Sequence, residues 1–250
     1  VKTDMGYTTE KSGINEDFAI SPMLAQNWEK HQKKITFPAI VQPKLDGVRC
    51  TARVKKGKVV LLSRKGKSFD HLKLISDALI ESNLDENMIL DGELFSDVLD
   101  FQRVVGLVRK KKLDKVDLTD MKNIKLKVFD LIDLRHPSMP FSKRWECANE
   151  IVENKKSKRL ALLNIVPIYY VEDHAAIETF LDQFLKDGDE GVMIRNSDSP
   201  YEINKRSYHL QKYKRFMDSE YKIIGAEEGT GNDKGTVIWV CETETRKPFN

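Results

Sequence analysis

Cysteine is scarce and poorly placed for structural work. The three cysteines, Cys50, Cys147 and Cys241, are odd in number and far apart, so they offer neither a disulfide framework nor a zinc spacing. The five histidines (His31, His71, His136, His174, His209) are equally scattered, with no HExxH or paired-ligand arrangement. No apolar run approaches the roughly 18 residues that a membrane span needs, and the longest stretches, such as Val59–Leu62, are strand-sized. The opening residues Val1–Glu10 are polar and lack a signal-peptide apolar region. Glycine loops for phosphate are missing too. There is no GxGxxG, and Gly66-Lys67-Ser68 fails the Walker pattern because Leu61 stands where its first glycine must be. These absences argue against a secreted scaffold, a membrane protein and a zinc enzyme. An intracellular protein is expected, and any nucleotide must be held without a glycine cradle.

The 250 residues suffice for one large domain or one and a half, and the chain can bury a core without staples. Charged residues make up 32% with both signs mixed, which fits a globule rather than a disordered chain. A net charge of +3 selects no partner, although basic residues cluster at Lys55–Lys58, Arg64–Lys67, Arg109–Lys112, Lys155–Arg159 and Lys212–Arg215. No repeat or low-complexity segment is present.

An irregular arm is expected over residues 1–20, followed by a mixed α/β pattern. Val48, Cys50, Ala52 and Val54 alternate with polar residues as in a half-buried strand, and Gly57 turns it into Val59–Leu62. Leu72, Ile75, Ala78 and Leu79 form a helical stripe behind a cap at Ser68 or Asp70. Strands are predicted at Ile35–Gln42, Met88–Phe95, Ile124–Leu134, Leu163–Val171, Glu190–Arg195 and Leu210–Phe216. Further helices are predicted over Leu99–Lys111, after a cap at Ser142, and from a cap at Asp173 to a stop at Gly188. Beyond Asp218 the pattern changes to Tyr221–Ala226, a glycine-rich turn and Thr236–Cys241, the opening hairpin of a small barrel. A domain boundary is therefore expected near 217.

The chemistry is concentrated at Lys44-Leu45-Asp46-Gly47-Val48-Arg49. An ordinary lysine, with a pKa of about 10.4, is uncharged only about one part in a few thousand at pH 7. Lys44 can be a nucleophile only if neighbouring cations or burial lower that value. Lys212 and Lys214, two apart in a strand, project from one face and would bind a phosphate and depress Lys44 together. Asp91 and Glu93 share a strand face and need partners there. Arg49 and Arg64 suit phosphate or ribose, because a guanidinium fork grips oxygens in pairs.

The chain resembles the covalent nucleotidyltransferases, and among them the ATP-dependent polynucleotide ligases. Lys44-Leu45-Asp46-Gly47-Val48-Arg49 is similar to the family's K-x-D-G-x-R, and five further segments follow in the family order: Leu62–Gly66, Leu90–Leu94, Val128–Asp130, Glu190–Arg195 and Leu210–Lys214. The resemblance spans roughly Ser21 to Tyr221. It implies an α+β fold: an adenylation domain of antiparallel-rich sheets flanked by helices over residues 1–217, then the start of an OB-fold barrel over 218–250. It implies that Lys44 becomes linked to AMP from ATP, with Lys212 and Lys214 on the α-phosphate. Glu93 would contact the ribose, Phe129 would stack on adenine, and Gln42 lies where the family reads the adenine amine. Glu190 and Asp91 would help hold Mg²⁺ or Mn²⁺, Asp46 would orient the site, and Arg206 is a further phosphate candidate. The implied partner of a monomeric enzyme is nicked double-stranded DNA, whose 5′-phosphate receives AMP before the 3′-hydroxyl displaces it. An RNA ligase, an mRNA-capping guanylyltransferase and an inactive nucleic-acid-binding module are the alternatives. Val1 is not an initiator methionine, and Ser219–Asn250 supplies about two strands where such a barrel needs about five. The sequence is therefore expected to be a fragment, with its nucleotide pocket drawn wholly from Gln42 to Lys214.

Overall fold

The computed structural model describes residues 20–153, 161–215 and 220–249. The expected arm (residues 1–19 of it), the Lys155–Arg159 cluster and the boundary at 217 lie outside those residues. From the amino end run β1 (Leu24–Asn27), the one-turn helix α1 (Trp28–His31), β2 (Ala39–Lys44), β3 (Val48–Lys55), β4 (Lys58–Ser63) and α2 (Lys73–Glu81). Next come β5 (Met88–Phe95), α3 (Phe101–Arg109), α4 (Lys115–Asp120), β6 (Lys125–Asp133) and α5 (Phe141–Glu153). Then follow β7 (Leu163–Ile165), β8 (Tyr169–Val171), α6 (His174–Lys186), β9 (Gly191–Asn196) and β10 (Arg206–Tyr213). The last three strands are β11 (Lys222–Glu228), β12 (Val237–Glu242) and β13 (Pro248–Phe249). This is the expected α+β class. None of the described helices is long and apolar enough to cross a membrane.

Two five-stranded sheets build the larger unit, which ends at Lys214. One has the order β1-β10-β9-β2-β8 and the other β4-β3-β5-β6-β7. The β3–β4 hairpin turns on Lys56 and Gly57 at φ 50° and 70°, a pair of positive angles that matches strand twist and that glycine adopts without a steric penalty. The apolar stripes do what their periods require: Ile75, Ala78 and Leu79 of α2 pack with Cys50, Ala52, Leu90 and Leu126 in one core, while Ile177, Leu181 and Phe184 of α6 pack with Val41, Val192 and Ile194 in another. A small third cluster of Met23, Ile89, Ile132, Tyr201 and Leu210 joins strands of both sheets. Fully burying each such aliphatic group is worth about 1.5–3 kcal/mol.

The differences from the sequence reading have local causes. Leu163–Val171 is not one strand but two, β7 parallel to β6 and β8 antiparallel to β2, in different sheets. Pro167 has no N–H to carry a ladder onward, so the chain crosses between sheets there. Neither Ser68 nor Asp70 caps α2: residues 64–69 fold back on β4 (Phe69 N–H donates to Leu61 O, 3.0 Å), and the helix starts only after Leu72. Ser142 lies inside α5 and its N–H donates to Ser197 O at 3.1 Å. Asp173 does cap α6, accepting from Ala176 N at 2.8 Å, and the helix ends at Lys186, with Gly188 at φ 91° just beyond it as the expected stop. The smaller unit, from Arg215, holds the three-stranded sheet β11-β12-β13. It has one strand more than the sequence suggested, and Ile223, Val237 and Trp239 are exposed.

Candidate active site

Strand β2 positions the nucleophile candidate. Gln42 and Lys44 stand two apart on one face of it, between β8 and β9. Both line a cavity of about 250 Å³ together with Arg49, Glu93, Phe129 and Lys212. Gly47, in the turn after β2, lets β5 come close: a Cβ there would lie 2.5 Å from Leu94 O and 2.6 Å from Glu93 Cγ. Glu190 meets Lys44 twice, its N–H donating to Lys44 O at 2.9 Å and its Oε2 pairing with Lys44 Nζ. Lys214 Nζ lies 3.8 Å from the other oxygen of the same carboxylate. Three lysines and one glutamate from three separate segments thus gather around Lys44, with Lys44 and Lys212 lining the cavity itself. Burial lowers the pKa of Lys44; Glu93 and Asp46 oppose this, and Lys214 and Lys212 lower it further.

Glu93 faces the same space from β5. Burial pushes its carboxyl up to about 7, against the pull of Arg49 and Lys44. An ordinary glutamate titrates near 4.3, so the fold prefers the protonated form. Its stabilising effect is complete below the ordinary value and is lost as pH rises through about 7. Glu93→Gln should therefore raise the thermal unfolding midpoint relative to the parent at about pH 8 and change it little at about pH 4. A shift of equal size at both pH values would show that the carboxyl is not held this way.

Asp91 departs from the expected role as a metal ligand. It shares the strand face of Glu93 but is completely buried. Arg49 Nε donates to its Oδ1 at 2.6 Å and Arg49 Nη2 to its Oδ2 at 2.5 Å, while the Tyr201 hydroxyl donates to Oδ2 at 2.6 Å. With both oxygens taken, Asp91 orients Arg49, whose guanidinium lies 4.7 Å from the centre of the Phe129 ring. Gln42 Nε2 donates to Phe129 O at 3.3 Å and Val166 O at 3.5 Å, and its buried Oε1 has no hydrogen-bond partner. Arg64 and Arg206 also reach the cavity; Arg206 Nη1 donates to Ala25 O at 2.5 Å. Asp46 stays in the exposed turn.

Several contributors escaped the sequence reading. Leu24 and Ala25 of β1 line the cavity, so it is not drawn wholly from Gln42 onward. Arg195 also lines it and is buried beside Phe129, its Nη1 donating to Asp130 Oδ2 at 2.5 Å. Arg144 grips the same carboxylate, with Nε at 2.8 Å from Oδ1. The signal available for Arg195 and Asp130 was their place in the Glu190–Arg195 and Val128–Asp130 segments; Arg144 carried none.

A two-sheet fold with a lysine at its cavity and no glycine loop is what the resemblance to the nucleotidyltransferases implied. Within them it belongs to the ATP-dependent DNA ligase domain family, whose model matches residues 22–214. The chain is 31% identical over 241 residues to a DNA ligase of African swine fever virus (isolate Pig/Kenya/KEN-50/1950), covering 92% of this chain and 55% of the relative. A solved structure titled Pmar-Lig_PreS3 superposes with a TM-score of 0.72 at 28% identity, over 90% of this chain and 54% of that one. The ATP-dependent DNA ligase of bacteriophage T7 in complex with ATP shares the fold, with a TM-score of 0.65 at 20% identity over 92% and 80% of the two chains. The chain spans about half the length of the viral relative and of Pmar-Lig_PreS3.

Proposed function

We propose that this chain is the nucleotide-transferring core of an ATP-dependent DNA ligase, acting as a monomer inside cells on nicked double-stranded DNA. The observation that carries the reading is Lys44 in the cavity, among Glu190, Lys212 and Lys214. Lys44, its pKa lowered by burial and by Lys214 and Lys212, gives its proton to water, and its free Nζ attacks the α-phosphorus of ATP. An N–P bond forms, the bond to the bridging oxygen breaks, and pyrophosphate leaves with the electron pair. Lys212 and Lys214 stabilise the charge that grows on the phosphate oxygens. AMP then passes to a DNA 5′-phosphate, and the neighbouring 3′-hydroxyl displaces it to join the strands.

Glu93 is assigned to the ribose, Phe129 to the face of the base, and Arg49 and Arg64 to phosphate or ribose oxygens. The orphaned acceptor Gln42 Oε1 fits a base that presents an amine, as adenine does, and disfavours guanine, whose carbonyl oxygen would meet it. Glu190 suits Mg²⁺ or Mn²⁺: its carboxylate accepts only, and it loses the Lys44 ammonium once that nitrogen is bonded to phosphorus. A bound divalent ion would neutralise charge on the phosphates.

Incubating the protein with α-labelled ATP should leave label on the chain that survives denaturation and alkali but is released by acid, as a phosphoramide is, and α-labelled GTP should leave none. Label from GTP alone would point to a capping guanylyltransferase, and label from neither would leave a binding module. Sealing of RNA nicks but not of DNA nicks would assign the chain to RNA ligation.

A further inference from the structure

The loop between β9 and β10 wraps the chain just ahead of β1. Leu24 N–H donates to Lys205 O at 2.8 Å and Asn204 N–H to Ser21 O at 2.9 Å. At the centre of this wrap sits Tyr201, 7% exposed, packed with Met23, Ile89, Ile132 and Leu210. Its hydroxyl oxygen accepts from Met23 N at 3.0 Å and donates its hydrogen to Asp91 Oδ2 at 2.6 Å. Arg49 closes the circuit, reaching Asp91 with two nitrogens and Met23 O with Nη2 at 3.2 Å. Both backbone polar groups of Met23 are thereby fixed by side chains, one of which, Arg49, lines the cavity. The next two residues, Leu24 and Ala25, are that wall on its β1 side.

We propose that Tyr201 is a positioning residue of the nucleotide site, its hydroxyl coupling the Asp91–Arg49 pair to the Met23 backbone so that Leu24 and Ala25 close on the ligand. The proposal rests on the reading of this cavity as an ATP site. Its chemistry needs a group that accepts and donates at once, which a buried hydroxyl does and a phenyl ring does not. Burial also holds the Tyr201 hydroxyl well above its ordinary pKa, so the hydrogen stays in place. Tyr201→Phe keeps the ring and its packing while leaving Met23 N–H without an acceptor. Arg49 keeps its grip on Asp91 but loses the anchored segment against which it is set. The effect should appear in ligand affinity, because the wall is displaced and the reacting lysine is untouched.

The test compares the parent chain with Tyr201→Phe in ATP binding by calorimetry, in the ATP dependence of adenylation, and in amide exchange at residues 23–25. Expected are ATP binding weaker by about tenfold, the equivalent of one buried hydrogen bond, with a maximal adenylation rate within about twofold of the parent. Exchange at the Met23–Ala25 amides should also quicken. A lower melting temperature with unchanged ATP affinity and unchanged exchange would mean that Tyr201 only fills space, and would overturn the proposal. If the variant fails to fold, the parent alone decides: ATP should slow exchange at these amides, and no slowing in a parent that binds ATP would overturn it. A parent that binds no ATP would instead sink the reading of the cavity itself.

Discussion

Lys44→Ala is expected to take up no label from α-labelled ATP, a loss of about 10⁴-fold or more, because the amine that would bond to phosphorus is gone. The cavity itself should survive. Lys44 lies at the end of β2 with its side chain partly exposed, and its backbone carbonyl, which receives Glu190 N–H, is unaffected by the substitution. The variant should therefore still bind ATP and melt within a few degrees of the parent. Lys212→Ala and Lys214→Ala should each slow label uptake by about 10²–10³-fold, the scale for removing one donor from a developing oxyanion. They should do so through the rate and not through stability. Continued labelling of Lys44→Ala, with the modified residue mapped elsewhere by mass spectrometry, would reassign the nucleophile. Unchanged labelling in either other variant would remove that lysine from the phosphate.

How much of this was legible in the sequence depends on how each residue reaches the site. Lys44, Lys212 and Glu93 were readable because a strand's period of two fixes the face from which a side chain leaves, and each sits in a short segment with its own pattern. The strands β3, β5 and β6 were readable for the same reason, being long and strongly alternating or apolar. The spacing put Asp91 on the face of Glu93 and in need of partners, but could not name them. Only tertiary structure brings Arg49 and Tyr201 over it. The wall at Leu24 and Ala25 could not be read, since it depends on β1 pairing parallel to β10 across most of the chain. Helix starts failed where the nearest candidate cap was engaged elsewhere: Ser68 bridges to Leu62 of β4, and Ser142 sits inside α5 with its own N–H on the Ser197 carbonyl. Where Asp173 had no such competitor, the local signal held.

Replacing Asp130 by Ala is expected to destabilise the larger unit by about 3–5 kcal/mol, the range for removing one partner of a buried ion pair. The carboxylate is completely buried and shared: Arg144 Nε and Nη2 approach it at 2.8 and 3.2 Å, and Arg195 Nη1 at 2.5 Å. Truncation leaves two guanidiniums with their charge uncompensated, and Arg195 Nε is already buried without a partner. The cluster ties β6, α5 and β9 together, so it fixes the two sheets between which the cavity lies. The acid response gives a second readout. Burial alone would raise the Asp130 pKa, but Arg144 and Arg195 outweigh it and hold the group below its ordinary value. A depressed carboxylate stabilises the fold above its ordinary pKa of about 3.9 and loses that effect as pH falls through the folded value. The parent should thus lose stability steeply below about pH 4, and Asp130→Ala should show a shallower fall from a lower plateau. Asp130→Asn should do little better, because an amide supplies one acceptor and no charge against two arginines. Chemical denaturation at neutral and acid pH measures both effects. A loss below about 1 kcal/mol would place Asp130 with the weak, solvent-screened pairs and deny it any part in holding the sheets in register.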